Sequence, residues 1–194
     1  MNFGVNMYKI RKYKSSDKEH LRYICKETTW DDNKKDAHKL ETIPMIFNDY
    51  FTAFEPENIF VAVNEDDIPV GYVICSSNYT LFKEKMKNYI MPMVKKEYPA
   101  SLLMFWATYF SVALAKKDYK THLHIDLLPE AQRKGLGTLL INALTEHLAS
   151  VNIRNVSVVT INKNSMGYKF YCKYGFRTIQ QFSKNIITMT YDIN

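Results

Sequence analysis

The sequence predicts an α/β fold: stretches alternating with a period of two residues are interleaved with stretches of helical apolar spacing, and a hairpin sits among them. No internal repeat, low-complexity segment or linker interrupts the pattern, so the expectation is one domain over residues 1–194. A hydrophobic fraction of 46% is enough to fill one core, and 14% aromatics argues against disorder.

Tyr8 to Tyr13 alternates as a first strand. Ser15, Ser16 and Asp17 offer N-cap oxygens to a helix running to about Lys26, with Leu21 and Ile24 on its apolar side. The spacing of Leu40, Ile43, Ile46, Phe47, Tyr50 and Phe51 predicts a helix from Lys34 to Phe54. Asn58 to Val63 and Val70 to Cys75 form a hairpin around the turn residues Asn64 to Asp67. Residues 81–97 and 100–116 predict two helices, the second opened by Pro99. His122 to Leu128 is a strand that Pro129 stops. Gly135 to Ser150 becomes an amphipathic helix carrying Leu139, Leu140, Ala143, Leu144 and Leu148. Val156 to Ile161 is a strand, Ser165 to Tyr174 a short helix ended by Gly175, and Phe176 to Ile179 with Ile187 to Tyr191 are the last strands.

The net charge of +6 is spread along the chain with no run of five or six like charges. It fits an anionic partner, whether nucleic acid, membrane surface or phosphorylated cofactor, and does not choose among them. Cys25, Cys75 and Cys172 are odd in number and far apart, so neither a zinc site nor a disulfide framework is indicated, and a reducing compartment is expected. Met1 to Ile10 lacks the apolar core of a signal peptide. The most apolar window, Leu102 to Ala115, is too short to cross a bilayer and is interrupted by Thr108 and Ser111. The expectation is a soluble cytoplasmic protein without nucleic-acid or membrane partners.

Gln132-Arg133-Lys134-Gly135-Leu136-Gly137-Thr138 lies between a strand and a helix. A helix start has unpaired N–H groups and a partial positive charge, and can hold a phosphate. Glycines let the backbone approach the anion, and Arg133 and Lys134 add charge beside it. Neither a nucleotide P-loop nor a dinucleotide G-x-G-x-x-G pattern is present.

Gln132-x-x-Gly135-x-Gly137 resembles the Q/R-x-x-G-x-G/A pyrophosphate-binding motif of the GNAT superfamily of N-acetyltransferases. Downstream, Asn164-x-x-Gly167-x-x-Phe170-Tyr171-x-x-Tyr174-Gly175-Phe176 is similar to that family's N-x-x-A-x-x-(L/F)-Y-x-x-x-G-F segment, with Gly167 where alanine is usual. Tyr8-Lys9-Ile10-Arg11 followed by Ser16-Asp17 resembles the family's opening. The resemblance implies a mixed, twisted central sheet of six to seven strands flanked by helices, with a helical insertion between strands 3 and 4, splayed open after the fourth strand. It implies that acyl-coenzyme A enters that gap, its pantetheine pairing with the backbone near Leu127 and Leu128 and its pyrophosphate on residues 132–138. Asn164 and Gly167 would lie along the pantetheine arm, and Tyr171 beside the sulfur.

Acetylation of an amine needs the neutral amine, so a base must take a proton, and the leaving thiolate needs a proton or stabilisation. Tyr171 matches the family's acid, against the plainer reading of one more core aromatic. His122, His124 and Asp126 fall on one face of their strand and Leu123, Ile125 and Leu127 on the other. Three readings fit that row: a polar network without chemistry, a base at Asp126 or His124, or a metal site, for which no further acidic or Cys/His cluster speaks. A strand bulge would break the facing argument. The segment His122 to Glu130 also resembles a GNAT subgroup related to the acetyltransferase-like domain attached to some glycoside hydrolases, where an aspartate at the position of Asp126 is a proposed base. Asp126 therefore ranks above His124, and no metal is expected.

For the acceptor, the long stretch from Ser76 to Tyr119 brings Tyr89, Met91, Met93, Tyr98, Met104, Phe105, Trp106, Tyr109 and Phe110, which would line a pocket, build the core of added helices or form a dimer face. Trp30 with Asp31, Asp32 and Asp36 reads as an acidic rim or a solvated turn. Two functions are expected to compete. One is transfer of acetyl from acetyl-CoA to a primary amine on a small molecule, peptide or protein; the other is a non-catalytic acyl-CoA-binding sensor or scaffold.

Overall fold

The computed structural model describes residues 7–113, 119–161, 165–182 and 186–193. Among them the strands Lys9–Lys12 (β1), Ile59–Val63 (β2), Pro69–Ser76 (β3), His122–Leu127 (β4), Asn155–Ile161 (β5), Arg177–Gln181 (β6) and Ile186–Asp192 (β7) make one sheet in the order β1-β2-β3-β4-β5-β7-β6. Neighbours are antiparallel except β4 and β5, which run parallel. The mixed seven-stranded sheet is the predicted one. β2 and β3 are buried at every position, as expected of strands covered on both faces.

One face carries Lys18–Thr28 (α1), Asp31–Lys34 (α2), Ala37–Phe47 (α3) and Asp49–Phe54 (α4). The predicted helix from Lys34 to Phe54 is thus divided. Asn48, a poor helix former, leaves helical geometry at φ −130° and turns the chain, so that both Ile46 and Tyr50 reach the core. The N-cap expected of Ser15 to Asp17 is also different: these residues form a 3-10 turn, and the Asp17 carboxylate accepts from the Lys14 amide and the Arg11 guanidinium instead of capping α1.

Tyr79–Lys85 (α5), Met91–Glu97 (α6) and Leu102–Ala113 (α7) form the predicted helical insertion between β3 and β4. Its first helix begins two residues before the predicted start and contains a π-helical turn, Met86–Ile90. Pro92, with no N–H, follows two residues after it, and the widened turn accommodates the missing ladder bond.

Leu136–Ser150 (α8) and Met166–Tyr174 (α9) lie on the opposite face. Leu140, Ile141, Leu144 and Leu148 of α8 have no exposed surface, and truncating one of them to alanine would cost about 2–5 kcal/mol. Leu139, predicted on the apolar side, is 43% exposed; the helix is rotated so that Ile141 takes its place. Gly175 ends α9 in the left-handed conformation, φ 116°, as the C′ position demands. No helix among the described residues is long and apolar enough to cross a membrane.

Candidate active site

β4 is fastened to β3 along its whole length, in unbroken register from Gly71–Leu127 to Ser76–His122. Its parallel pairing with β5 is confined to His122 and Ser157, where the Ser157 amide donates to the Thr121 carbonyl at 2.8 Å. Beyond that rung the strands part. The Leu128 amide points at the Val70 carbonyl, 2.9 Å away, so alternation sends the amides of Ile125 and Leu127 the other way, into the opening. The Leu127 carbonyl is taken by Gln132, whose Nε2 donates to it at 2.9 Å.

The loop 132–138 leads from this opening into the first turn of α8. Gly135 caps the helix at φ 82°, and a Cβ there would meet nothing within 4 Å, so the unpaired amides of the first turn are approachable from outside. Gly137 serves differently: a Cβ would stand 3.2 Å from two ring atoms of Phe170, so this glycine lets α8 and α9 close on each other. Arg133, Lys134 and Thr138 are exposed, while Leu136 and Leu128 are buried. The Lys134 ammonium donates to the Tyr8 hydroxyl at 2.8 Å.

Asn164 lies outside the described residues. Gly167 is in the first turn of α9, and a Cβ there would make ordinary contacts at 3.9 and 4.0 Å, so the alanine of the resembled motif would fit. Ser165 caps the helix, accepting from the Tyr168 amide at 3.1 Å. Tyr171 is buried against Phe170 and Phe176, with ring centres 5.4 and 5.1 Å away. Its hydroxyl makes no hydrogen bond to any described residue. Burial, and then the negative charge of Asp126, push the phenol well above its ordinary value.

On the other face of β4 the predicted row is a pair plus a bystander. The strand has no bulge, and His124 Nε2 lies 2.9 Å from Asp126 Oδ2. His122 stands apart: its Nδ1 lies 2.9 Å from the Lys120 carbonyl, its ring packs edge-on to Phe82, and burial lowers its basicity. Two residues that sequence spacing did not single out join the pair. The Tyr72 hydroxyl donates to Asp126 Oδ2 at 2.6 Å, and the ligating atoms of Cys25, His124 and Asp126 all lie within 4.8 Å of one another. Cys25 follows Ile24 on the apolar side of α1, which gave a hint of its direction but not of its neighbours.

Burial alone would strip the proton from His124 and place one on Asp126. Their mutual attraction and hydrogen bond outweigh it. His124 is lifted to about 10, Cys25 contributing, and Asp126 is held below its ordinary value with help from Tyr72 and Thr28. At neutral pH the pair is imidazolium and carboxylate. Burial pushes the Cys25 thiol up, and the neighbouring His124 only partly relieves it.

Of the aromatics and methionines in the insertion, Phe105 is fully buried, and Met91, Met93, Tyr98, Met104, Trp106 and Tyr109 pack partly buried against the core. They are the interior of the added helices, while Tyr89 and Phe110 remain half exposed. Trp30 is 62% exposed, and Asp32 and Asp36 pair with Lys35 and Lys39, as in a solvated turn. The surface hollow lined by Thr145, Glu146, Ala149, Tyr191 and Ile193 contains none of the candidate residues.

Among solved structures, the fold is similar to that of SsHAT, with a TM-score of 0.83, 23% identity, and 97% of this chain and 99% of that one covered. It is also similar to the PaiA N-acetyltransferase from Thermoplasma acidophilum, solved in complex with coenzyme A, with a TM-score of 0.62 and 16% identity over 95% of this chain and 98% of that one. The phosphinothricin acetyltransferase (Pat) from Sinorhizobium meliloti, solved with AcCoA, gives 0.60 and 16% over 96% and 89%. Such identities speak for a shared fold. No curated protein matches the sequence. The sequence profile of the acetyltransferase (GNAT) family matches residues 21–176, a span from α1 to the residue before β6 that includes the parted strands and the loop at the start of α8. This chain is therefore a member of the GNAT acetyltransferase family.

Proposed function

We propose that the protein is an N-acetyltransferase that moves acetyl from acetyl-CoA to a primary amine in a ternary complex. The observation that carries this reading is the fork between β4 and β5, with the amides of Ile125 and Leu127 turned into it and unpaired among the described residues, and the open helix start at Gly135 alongside it. An amide-bearing pantetheine arm would pair with β4 near Leu127 and Leu128 as a strand does. Its pyrophosphate would lie over the first turn of α8, within residues Gln132, Arg133, Lys134, Gly135, Leu136, Gly137 and Thr138. Asn164 and Gly167 are proposed along the arm. The relatives solved with coenzyme A and AcCoA support the same ligand.

The amine nitrogen attacks the thioester carbonyl carbon, the C–S bond breaks, and two protons must be managed. Asp126 is the proposed acceptor of the amine proton. It is held ionised, whereas His124 already carries a proton and serves to orient the carboxylate. A carboxylate of lowered basicity keeps the proton only briefly and passes it to solvent. Tyr171, kept protonated by burial, donates to the departing sulfur, supplies the proton that makes the thiol, and takes a proton back from solvent as the product leaves.

The test is incubation with radiolabelled acetyl-CoA and a panel of primary amines, covering polyamines, aminoglycosides, amino acids and peptides. Label should pass to at least one amine, and Asp126→Asn should depress the rate without weakening cofactor binding. Tight cofactor binding with no transfer to any acceptor, and no effect of Tyr171→Phe on any slow transfer, would leave a binder and not an enzyme.

A further inference from the structure

We propose that Cys25, His124 and Asp126 form a binding site for one soft divalent transition-metal ion, zinc foremost, and that its occupancy blocks acetyl transfer. Sequence spacing spoke against a metal because no further acidic or Cys/His cluster supported H-x-H-x-D; the fold brings a cysteine from α1 to the pair.

Once the Cys25 thiol and the His124 imidazolium have each released a proton to solvent, the donor set is a thiolate, an imidazole and a carboxylate, which suits zinc and disfavours magnesium and calcium, ions that take oxygen ligands. Bond lengths of about 2.0–2.3 Å to a common ion at tetrahedral angles hold such donors roughly 3.3–3.7 Å apart. The three atoms lie within 4.8 Å of one another, and His124 Nε2 and Asp126 Oδ2 stand at 2.9 Å. Opening that pair by roughly half an ångström, and closing the thiol by up to about 1.5 Å, would seat the ion. Tyr72, hydrogen-bonded to Asp126, supplies the outer support that keeps a ligating carboxylate oriented. His124 is 36% exposed and Cys25 is buried, so an ion would enter past the imidazole and meet the sulfur last. Three protein ligands leave a fourth position open, where water or the acceptor amine would bind.

Binding rests on the three residues alone. The inhibitory consequence rests on the reading of Asp126 as the proton acceptor, since a carboxylate that ligates a metal is no longer free to take a proton.

The whole chain carrying Cys172→Ser, which removes the exposed thiol, is titrated with zinc by calorimetry and with cobalt(II) by absorption. One ion per chain and a sulfur-to-cobalt charge-transfer band are expected. Cys25→Ala should abolish the band and weaken zinc at least about tenfold, with Cys25→Ser used if the alanine variant fails to fold. The ratio of transfer rates without and with equimolar zinc should be large for the parent and close to one for the Cys25 variant. Coenzyme A affinity, measured in parallel, separates failure of the metal proposal from failure of the cofactor reading. Absence of the cobalt band, or zinc binding unchanged by the Cys25 substitution, would overturn the site. Zinc bound at the site with transfer undiminished would overturn the inhibitory role.

Discussion

Tyr72 and Asp126 face each other across β3 and β4, and the buried phenol donates a 2.6 Å hydrogen bond to the carboxylate. This bond shares one oxygen with His124, so the carboxylate is positioned by both neighbours. Tyr72→Phe removes one of the two. A hydrogen bond to a charged group contributes about 1.5–3 kcal/mol, and His124 retains part of it, so a stability loss of roughly 1–2 kcal/mol is expected in denaturant titration. Transfer should slow through kcat, with the KM for acetyl-CoA little changed. A rise in that KM with normal kcat would contradict the positioning role.

Tyr171→Phe separates chemistry from packing. The hydroxyl has no hydrogen-bond partner among the described residues, so its removal should leave the thermal midpoint nearly unchanged. If the phenol protonates the departing sulfur, kcat should fall about a hundredfold. A steady-state comparison with intact coenzyme A binding checks this, and an unaltered kcat would assign the ring to packing alone.

Gly135→Glu puts a carboxylate over the first turn of α8 at a residue with φ 82°. The left-handed backbone costs a side chain about 1–2 kcal/mol, which the fold should survive, and nothing lies within 4 Å of the new Cβ to clash with it. Coenzyme A affinity by calorimetry should drop more than tenfold, while Gly135→Ala should lose much less. Equal affinity in the glutamate variant would remove the phosphates from this loop.

Asp17 gives a pH dependence that is independent of catalysis. Burial pushes its carboxyl up, but the Arg11 hydrogen bonds at 2.7 and 3.0 Å, the Lys14 amide and the charges of both outweigh it, and the net shift is downward. A depressed folded value means the stabilisation is fully present above the unfolded value of 3.8 and is lost as pH falls through the folded one. The gap in thermal midpoint between the natural chain and Asp17→Asn should therefore be large at neutral pH and shrink toward zero on acidification below that range. A constant gap would contradict the ion-pair account.

Local chemistry was the legible part of the sequence. The hairpin around Asn64 to Asp67, the glycine that opens α8 and the one that follows α9 depend on neighbouring residues, and each stands where the pattern placed it. The division at Asn48 and the π turn before Pro92 were hidden because apolar spacing continues through both. At the site, the facing of His124 and Asp126 follows from strand geometry alone. That His122 drops out, and that Cys25 and Tyr72 come in, depends on which helix lies over β4 and on the β3–β4 register. Those are contacts between residues 54 and about a hundred positions apart, which no local period encodes.

A single rung between His122 and Ser157 has a mechanical consequence. β1 to β4 are laced by antiparallel ladders, and so are β5 to β7, which leaves two leaves joined along a very short spine. A change in the angle between the leaves would break neither ladder. A guest lying along that spine, gripped from both sides, would bind the leaves into one body, so that the rigidity of the loaded molecule is in part borrowed from what it holds.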